Sequence, residues 1–314
     1  MFKRFLFILT VLLGLGFNAQ PVSAIRSEDI AMALYPTNQT IELAPGQEKE
    51  GKINLANNGQ VGYNIILAAS PYQVDSETYD PDFSTNNIYT QLYTWISFPE
   101  ETYYIAPGEV KEIIFKINVP ADAAGGGQYA AVLIRSEDGI DPNASGVQTI
   151  PEVASIIYAR IDGPEMAPSG EVAEQSIPRF ILSGPLDVTE TVYNTGNVDF
   201  KVYHAITITD AITGEEIVTP TSKTSAGITY GSKTSIVLPG TSRSNTLTWE
   251  NTPKIGAVRV KQTVIFLDQE VSTEQLVIFC PIWLIAGVAA LILLAILWII
   301  LVVRRHRRKQ PQVF

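Results

Sequence analysis

Tyr72, Tyr79, Phe83, Tyr89, Tyr93 and Trp95 crowd one segment of the chain, with Asn86, Asn87 and Gln91 set among them. Aromatic faces stack on sugar rings, and amides hold hydroxyls laterally. The segment is therefore expected to grip a neutral glycan through Tyr72, Tyr79, Tyr89, Tyr93, Asn86 and Asn87. Trp95 lies in Trp95-Ile96-Ser97-Phe98 and has two readings, a core residue or a sugar contact.

Two acidic loops have oxygen donors at short spacing: Asp75, Glu77, Asp80 and Asp82, then Glu137, Asp138, Asp141 and Asn143. Hard oxygens suit calcium, although neither loop has EF-hand spacing and solvated acidic loops are common. Neither loop carries an expectation of a bound metal.

The histidines are His204 and His306. His204 falls in the stripe Phe200, Val202, Ile206 and Ile208, as a histidine of a sheet core or surface would. No paired zinc histidines, Walker loop or nucleophile elbow is present. Gly125-Gly126-Gly127 precedes a strand rather than a helix, so it lacks the setting of a phosphate cradle. Leu238-Pro239-Gly240-Thr241-Ser242 resembles a degraded sortase motif but reads as a hairpin turn. The chain is expected to be neither an enzyme nor a cofactor carrier.

The two ends say where such chemistry would operate. Lys3 and Arg4 precede an apolar run from Phe5 to Phe17, and Val22-Ser23-Ala24 follows. This is the layout of a secretory signal (residues 1–24) cleaved after Ala24. Leu276 to Val303 has no charged residue and is followed by Arg304, Arg305, Arg307, Arg308 and Lys309. These features predict a transmembrane helix over 276–303 and a basic cytoplasmic tail over 304–314. The expected product is a single-pass plasma-membrane protein with its N-terminus outside.

All 32 acidic residues lie between these ends, against 15 of the 22 Lys and Arg, a net charge of −17. Such a surface repels nucleic acid and anionic polymers, leaving neutral glycans, divalent cations and basic protein patches as partners. The single cysteine, Cys280, sits at the membrane boundary. An extracellular part without disulfides favours a bacterial protein.

Strand patterning positions the rest. Ile113, Phe115, Ile117 and Val119 alternate with Glu112, Lys116 and Asn118; Ile53 and Leu55, then Tyr63, Ile65 and Leu67, repeat the theme. Ala44-Pro45-Gly46, Asn57-Asn58-Gly59 and Ala106-Pro107-Gly108 punctuate the strands, as in a β-sandwich. The segment from Asn194-Thr195-Gly196 to Leu238-Pro239-Gly240 echoes Asn57-Asn58-Gly59 and Ala106-Pro107-Gly108. The fold class is therefore all-β, with two tandem Ig-like sandwiches (25–162 and 179–270), a linker over 163–178 and one C-terminal helix. Val258, Val260, Val264 and Phe266 are expected to form the last strand.

The first domain resembles a known family. Leu43-Ala44-Pro45-Gly46, Asn57-Asn58-Gly59, Trp95-Ile96-Ser97-Phe98-Pro99, Ile105-Ala106-Pro107-Gly108, Phe115-Lys116-Ile117-Asn118-Val119-Pro120 and Gly126-Gly127-Gln128-Tyr129-Ala130-Ala131 follow one another in the order found in the DUF916 family. This is the peptidoglycan-binding domain of WxL-interacting proteins on bacterial surfaces. The resemblance covers residues 30 to 160. It implies peptidoglycan binding by the first domain and a WxL-type surface protein as partner of the second. The alternative is a structural stalk or chaperone-like assembly subunit that binds only proteins, by edge-strand pairing.

Overall fold

A computed structural model describes residues 29–75, 78–138, 150–219 and 232–308. The expected signal peptide, Glu77, Asp141, Asn143 and Lys309 lie outside the described residues.

Inward–outward alternation builds the first half from β1 (Met32–Tyr35), β2 (Asn38–Leu43), β3 (Glu48–Asn57), β4 (Tyr63–Pro71), β5 (Gln73–Val74), β6 (Pro81–Asp82), β7 (Ile96–Ser97), β8 (Thr102–Ile105), β9 (Val110–Asn118), β10 (Gly126–Ser136) and β11 (Glu152–Ile161). One sheet has the order β1-β3-β9-β7 and the other β2-β11-β10-β4-β8. Between them pack Ile53, Leu55, Tyr63, Ile65, Ile113, Phe115 and Ile117, all fully buried, and each such side chain contributes about 1.5–3 kcal/mol. These are the residues whose period-2 spacing the sequence displays.

The second half comprises β12 (Gly170–Ser176), β13 (Phe180–Ile181), β14 (Leu186–Asn194), β15 (Phe200–Asp210), β16 (Glu216–Val218), β17 (Ser232–Val237), β18 (Ser242–Trp249), β19 (Gly256–Phe266) and β20 (Gln269–Phe279). Its sheets run β12-β14-β18 and β13-β20-β19-β15-β16, with β17 also on β15. Among the described residues no strand of one half pairs with a strand of the other. In both halves the entering chain serves two sheets in turn. β1 pairs antiparallel with β3 and β2 parallel with β11; β12 pairs antiparallel with β14 and β13 parallel with β20.

Three expectations are corrected here. The stretch 163–178 is not all linker, because it contains β12, an edge strand so exposed that it needs few apolar residues. The second half runs past residue 270 into β20, and Leu276–Phe279 belong to that strand rather than to the helix. Val277 and Phe279 are buried there, paired with Val258 and Gly256 of β19. The hairpin is silent in the sequence because its turn is Leu267-Asp268, both at positive φ, where Asn or Gly is usual. The helix, α1, therefore spans Ile282–Arg308, and 24 of its residues are long and apolar enough to cross a membrane.

Candidate functional site

The two halves meet at a built joint, and it starts from glycine. Gly126 has φ +138, a conformation that L side chains rarely adopt. A Cβ there would also press on Asn197 at 3.0 Å, and one on Gly125 would meet Gly163. Without side chains the strand comes close enough for Gly127 N–H to donate to Asn197 O (2.7 Å) and for Asn197 Nδ2 to donate to Gly125 O (3.2 Å). Tyr129 follows on β10, and its hydroxyl accepts from Asp199 N–H (2.8 Å) while lying 3.2 Å from Asp199 Oδ1. Arg160 of β11 closes the group by donating from Nη2 to Asp199 Oδ2 at 2.8 Å. Burial, and then the Asp199 charge, push the Tyr129 phenol well above its ordinary range, whereas the Asp199 carboxylate raises Arg160. The pieces Gly126-Gly127-Gln128-Tyr129 thus have a structural task.

The aromatic segment lies over the outer face of β10, which explains why that strand is buried on both sides. Tyr72, Val74, Tyr129, Ala131 and Tyr158 form a cluster that also takes in Leu238 of the second half. Tyr72 and Tyr129 both meet Tyr158 edge-on, at 6.0 and 5.8 Å. Tyr79 has φ +63, a left-handed conformation costing about 1–2 kcal/mol. Its hydroxyl is held from both sides, donating to Ile236 O (2.8 Å) and accepting from Leu238 N–H (3.0 Å). The Arg243 guanidinium lies 4.3 Å above its ring, within cation–π range.

The predicted glycan residues therefore part company. Tyr72 is buried and Tyr79 is clamped between the halves, so neither offers a free face for stacking; their aromatic character serves the joint. Tyr93 is half-buried and packs on the first core, as does Trp95. Asn86 is exposed, but its Oδ1 accepts from Thr90 Oγ1 and Gln91 Nε2. Asn87 donates to Gln73 Oε1. Tyr89 and Asn87 do reach an open cleft of about 650 Å³, opposite Pro239, Gly240 and Thr241. A larger cleft of about 830 Å³ opens beside the Arg160–Asp199 pair, between Glu42 and Asp162 of the first half and Phe200 and Lys201 of the second.

No protein-family model matches the chain, and no curated protein does. Solved structures give similarities of fold. One is a chain of the chaperone–tip adhesin complex of CFA/I fimbriae biogenesis, 12% identical, covering 78% of this chain and 98% of that one at a TM-score of 0.39. The class 5 fimbriae chaperone CfaA is 13% identical over 79% of this chain and 99% of its own, at 0.38. The E. coli chaperone DraB is 12% identical over 79% and 96%, at 0.35. Likenesses of this size carry no argument about what this chain does.

The acidic loop is tied up in itself. Asp82 accepts from Ser84 N–H and Oγ, Thr85 N–H and Gln73 Nε2, and these bonds, those from Ser84 and Thr85 above all, hold its carboxyl far below the usual range. Asp75 Oδ1 accepts from Thr78 N–H. Asp138 of the second loop accepts from Asn64 N–H. Among the described residues no group of three or more His, Cys, Asp or Glu is placed to hold a metal ion.

His204 is fully buried, as its apolar stripe suggests, but in polar company that the sequence conceals. Its Nδ1 lies 2.7 Å from Glu190 Oε1, so the imidazole and the carboxyl group face each other inside the sheet pair. Nε2 lies 3.0 Å from Ser235 Oγ, and Gln262 Nε2 donates to Glu190 Oε2 at 2.7 Å. This Ser–His–Glu order has the connectivity of a hydrolase triad, yet Glu190, His204 and Gln262 are at most 1% exposed.

Residues 199, 160, 129 and 243 were not singled out by sequence reasoning. Tyr129, Arg160 and Arg243 lie on strands and Asp199 in the turn before β15, and only the approach of two distant segments gives each its role. Gly125-Gly126-Gly127 was the available signal, since three glycines entering a strand ask for a close neighbour.

Proposed function

We propose that this chain is a membrane-anchored bacterial cell-surface binding protein whose two tandem Ig-like sandwiches, held as one elbow, engage a second surface protein. α1 crosses the membrane, the strands stand outside the cell and the Arg-rich end lies in the cytoplasm. The joint is the observation that carries the reading. Buried Tyr129, Asp199 and Leu238 fix the halves against each other, leaving the 830 Å³ cleft as a preformed concavity with charges of both signs. Preformed concave sites bind with little ordering cost. Both edges of the first half's five-stranded sheet are guarded: Lys49 Nζ donates to Glu42 O on β2, and Lys111 Nζ to Tyr104 O on β8. Lysines placed this way discourage strand addition, which favours the cleft over edge pairing as the contact. No catalytic step is assigned to the chain.

The resemblance to the DUF916 family supports a second reading, peptidoglycan held by the first sandwich and a WxL-type protein by the second. One observation favours it: Tyr89 and Asn87 still face the 650 Å³ cleft with Gln73 and Asp82. A photoreactive residue at Lys201, in the full chain on intact cells, should yield a discrete protein adduct, lost on Glu42→Lys. Absence of an adduct, together with sedimentation of the chain on purified peptidoglycan that Tyr89→Ala abolishes, would replace the first reading with the second.

A further inference from the structure

Three loops and the strand leading to α1 lie at one end of the second half. Register places them together. Gly256 pairs with Phe279 at the β19–β20 end, Asp210 with Val258, Phe180 with Ile278, and Leu186 with Trp249. Ala211 N–H donates to Ala257 O, and Cys280 N–H to Ile181 O; Gly184 packs directly against Thr252. The segments around 180–185, 211–214 and 250–256 and the strand leading to α1 therefore form one rim.

That rim is apolar and uncovered. Ile212 is 91% exposed, Phe180 66%, Ile255 52% and Leu182 50%. Large apolar side chains grouped at one end of a folded unit mark a contact surface. The opposite end of the same half contrasts with it, since Leu238 there is buried against the first half. α1 does not cover the rim, because none of its membrane-length window is buried. The charges around the rim are mixed, with Arg179 and Lys254 against Glu250, Glu215 and Glu216, and Asp210 spends its carboxylate on Ile212 and Thr213 N–H. Nothing selects an anionic partner.

We propose that this rim seats in the outer leaflet of the bilayer, with Phe180, Leu182, Ile212 and Ile255 in the boundary between headgroups and acyl chains. The inference rests on α1 spanning the membrane. Only Cys280 and Pro281 separate Phe279 of β20 from Ile282 of α1, and three Cα–Cα steps reach at most about 11 Å. The rim is thus brought to the depth of Trp283, which stands at the start of the helix as interfacial aromatics do. Apolar surface in this boundary is buried to about 5–10 Å. A short tether and a seated rim would hold the elbow at a fixed attitude to the membrane and present the cleft consistently.

The test uses the full chain with Cys280→Ala, carrying one introduced cysteine labelled with an environment-sensitive fluorophore, in phosphatidylcholine vesicles. Labels at Ile212→Cys and Ile255→Cys should emit at shorter wavelength than one at Val110→Cys, an exposed site in the first half. Doxyl-labelled lipid should quench the first two and not the third, and salt should leave the pattern unchanged. A fourth label at Leu291→Cys within α1 separates the failures. Quenching at 291 with none at 212 and 255 overturns the seated rim and leaves the spanning helix standing. No quenching at 291 removes both. Equal quenching at 110, 212 and 255 means that the whole chain lies on the lipid, and the rim has no special part.

Discussion

The halves of this molecule share one frame and fill it differently. In the first, Asn57 Nδ2 donates to Val61 O and Ala106 O while its Oδ1 accepts from Gly59 N–H. In the second, Asn194 Nδ2 donates to Val198 O and Val237 O, and its Oδ1 accepts from Gly196 N–H. Each asparagine also anchors a Pro-Gly turn by its backbone, with Gly108 N–H donating to Asn57 O and Gly240 N–H to Asn194 O. Both glycines sit near φ +70 (73° and 68°), where a Cβ is penalised. What lies behind the frame differs. Between its two sheets the first half has one apolar cluster, with the tyrosine cluster lying apart on the outer face of β10. The second has two, one around Leu186, Ile206 and Val260 and one around Val192, Val202 and Val264, divided by a layer of Glu190, His204, Ser235, Asn245 and Gln262. A repeated hydrogen-bonding frame therefore sets the fold, and the core behind it is free to be apolar or polar.

The largest expected effect tests that difference. Glu190→Ala leaves His204 Nδ1 and Gln262 Nε2 buried without their partner, and each polar group so stranded costs about 1–3 kcal/mol. Replacing Glu190, His204 and Gln262 together by apolar residues of similar volume should be neutral or stabilising. Denaturant melts of the full chain read both. If the triple variant is as unstable as the single one, the layer does more than fill space, and the two cores are not interchangeable.

Next in size is the shared frame. Asn57→Ala and Asn194→Ala each strand buried carbonyls, and each should cost about 1–3 kcal/mol. The two losses should be of similar size, since each asparagine donates to two carbonyls and accepts from one N–H, although the second carbonyl is Ala106 O in one half and Val237 O in the other. A large difference between them would show that the likeness is one of shape and not of energy.

How much of this was legible follows from range. Ile113, Phe115 and Ile117, the echo of Asn57-Asn58-Gly59 in Asn194-Thr195-Gly196, and the apolar length of α1 are local patterns, and the structure contains them. The aromatic segment was visible as a cluster, but its destination was not. Tyr79 meets Ile236 and Leu238 across more than 150 residues of chain, and no local rule states which surface will cover a tyrosine. β12 was hidden because an edge strand with one solvated face needs few apolar residues, and β20 because its turn is Leu267-Asp268 and most of its residues before Val277 are exposed. The layer around His204 was hidden because its members are isolated polar residues on five separate strands.

The joint should respond by a similar amount. Asp199 is 3% exposed and bonded to Arg160 and Tyr129. Hydrogen bonds to charged groups contribute about 1.5–3 kcal/mol, so Asp199→Ala should lower stability by that amount. It should also let the halves move apart, increasing the radius of gyration in solution scattering. A variant that loses stability without changing shape would mean that the tyrosine cluster alone holds the elbow.

The smallest effect is the dependence of the joint on alkaline pH, and it separates the joint from both cores. Burial raises the Tyr129 phenol above its ordinary value of 10.0, and the Asp199 carboxylate raises it further. Tyr72, Tyr79 and Tyr158 of the same cluster are raised mainly by burial. A neutral phenol is thus the form the fold accepts. Below pH 10 both folded and unfolded chains carry it, and stability is complete. As pH rises past 10 the unfolded chain ionises first, so each such tyrosine withdraws stability progressively until its folded value is reached. Tyr129→Phe cannot ionise, so it should lower stability at neutral pH through its lost hydrogen bonds yet flatten the decline above pH 10. The comparison is between slopes, read from melts across that range, and tyrosinate absorbance should appear later for the folded chain than for the unfolded one. Equal slopes in the two proteins would place the sensitivity elsewhere, with Tyr63 in the first core as the next residue to replace, since burial raises it too.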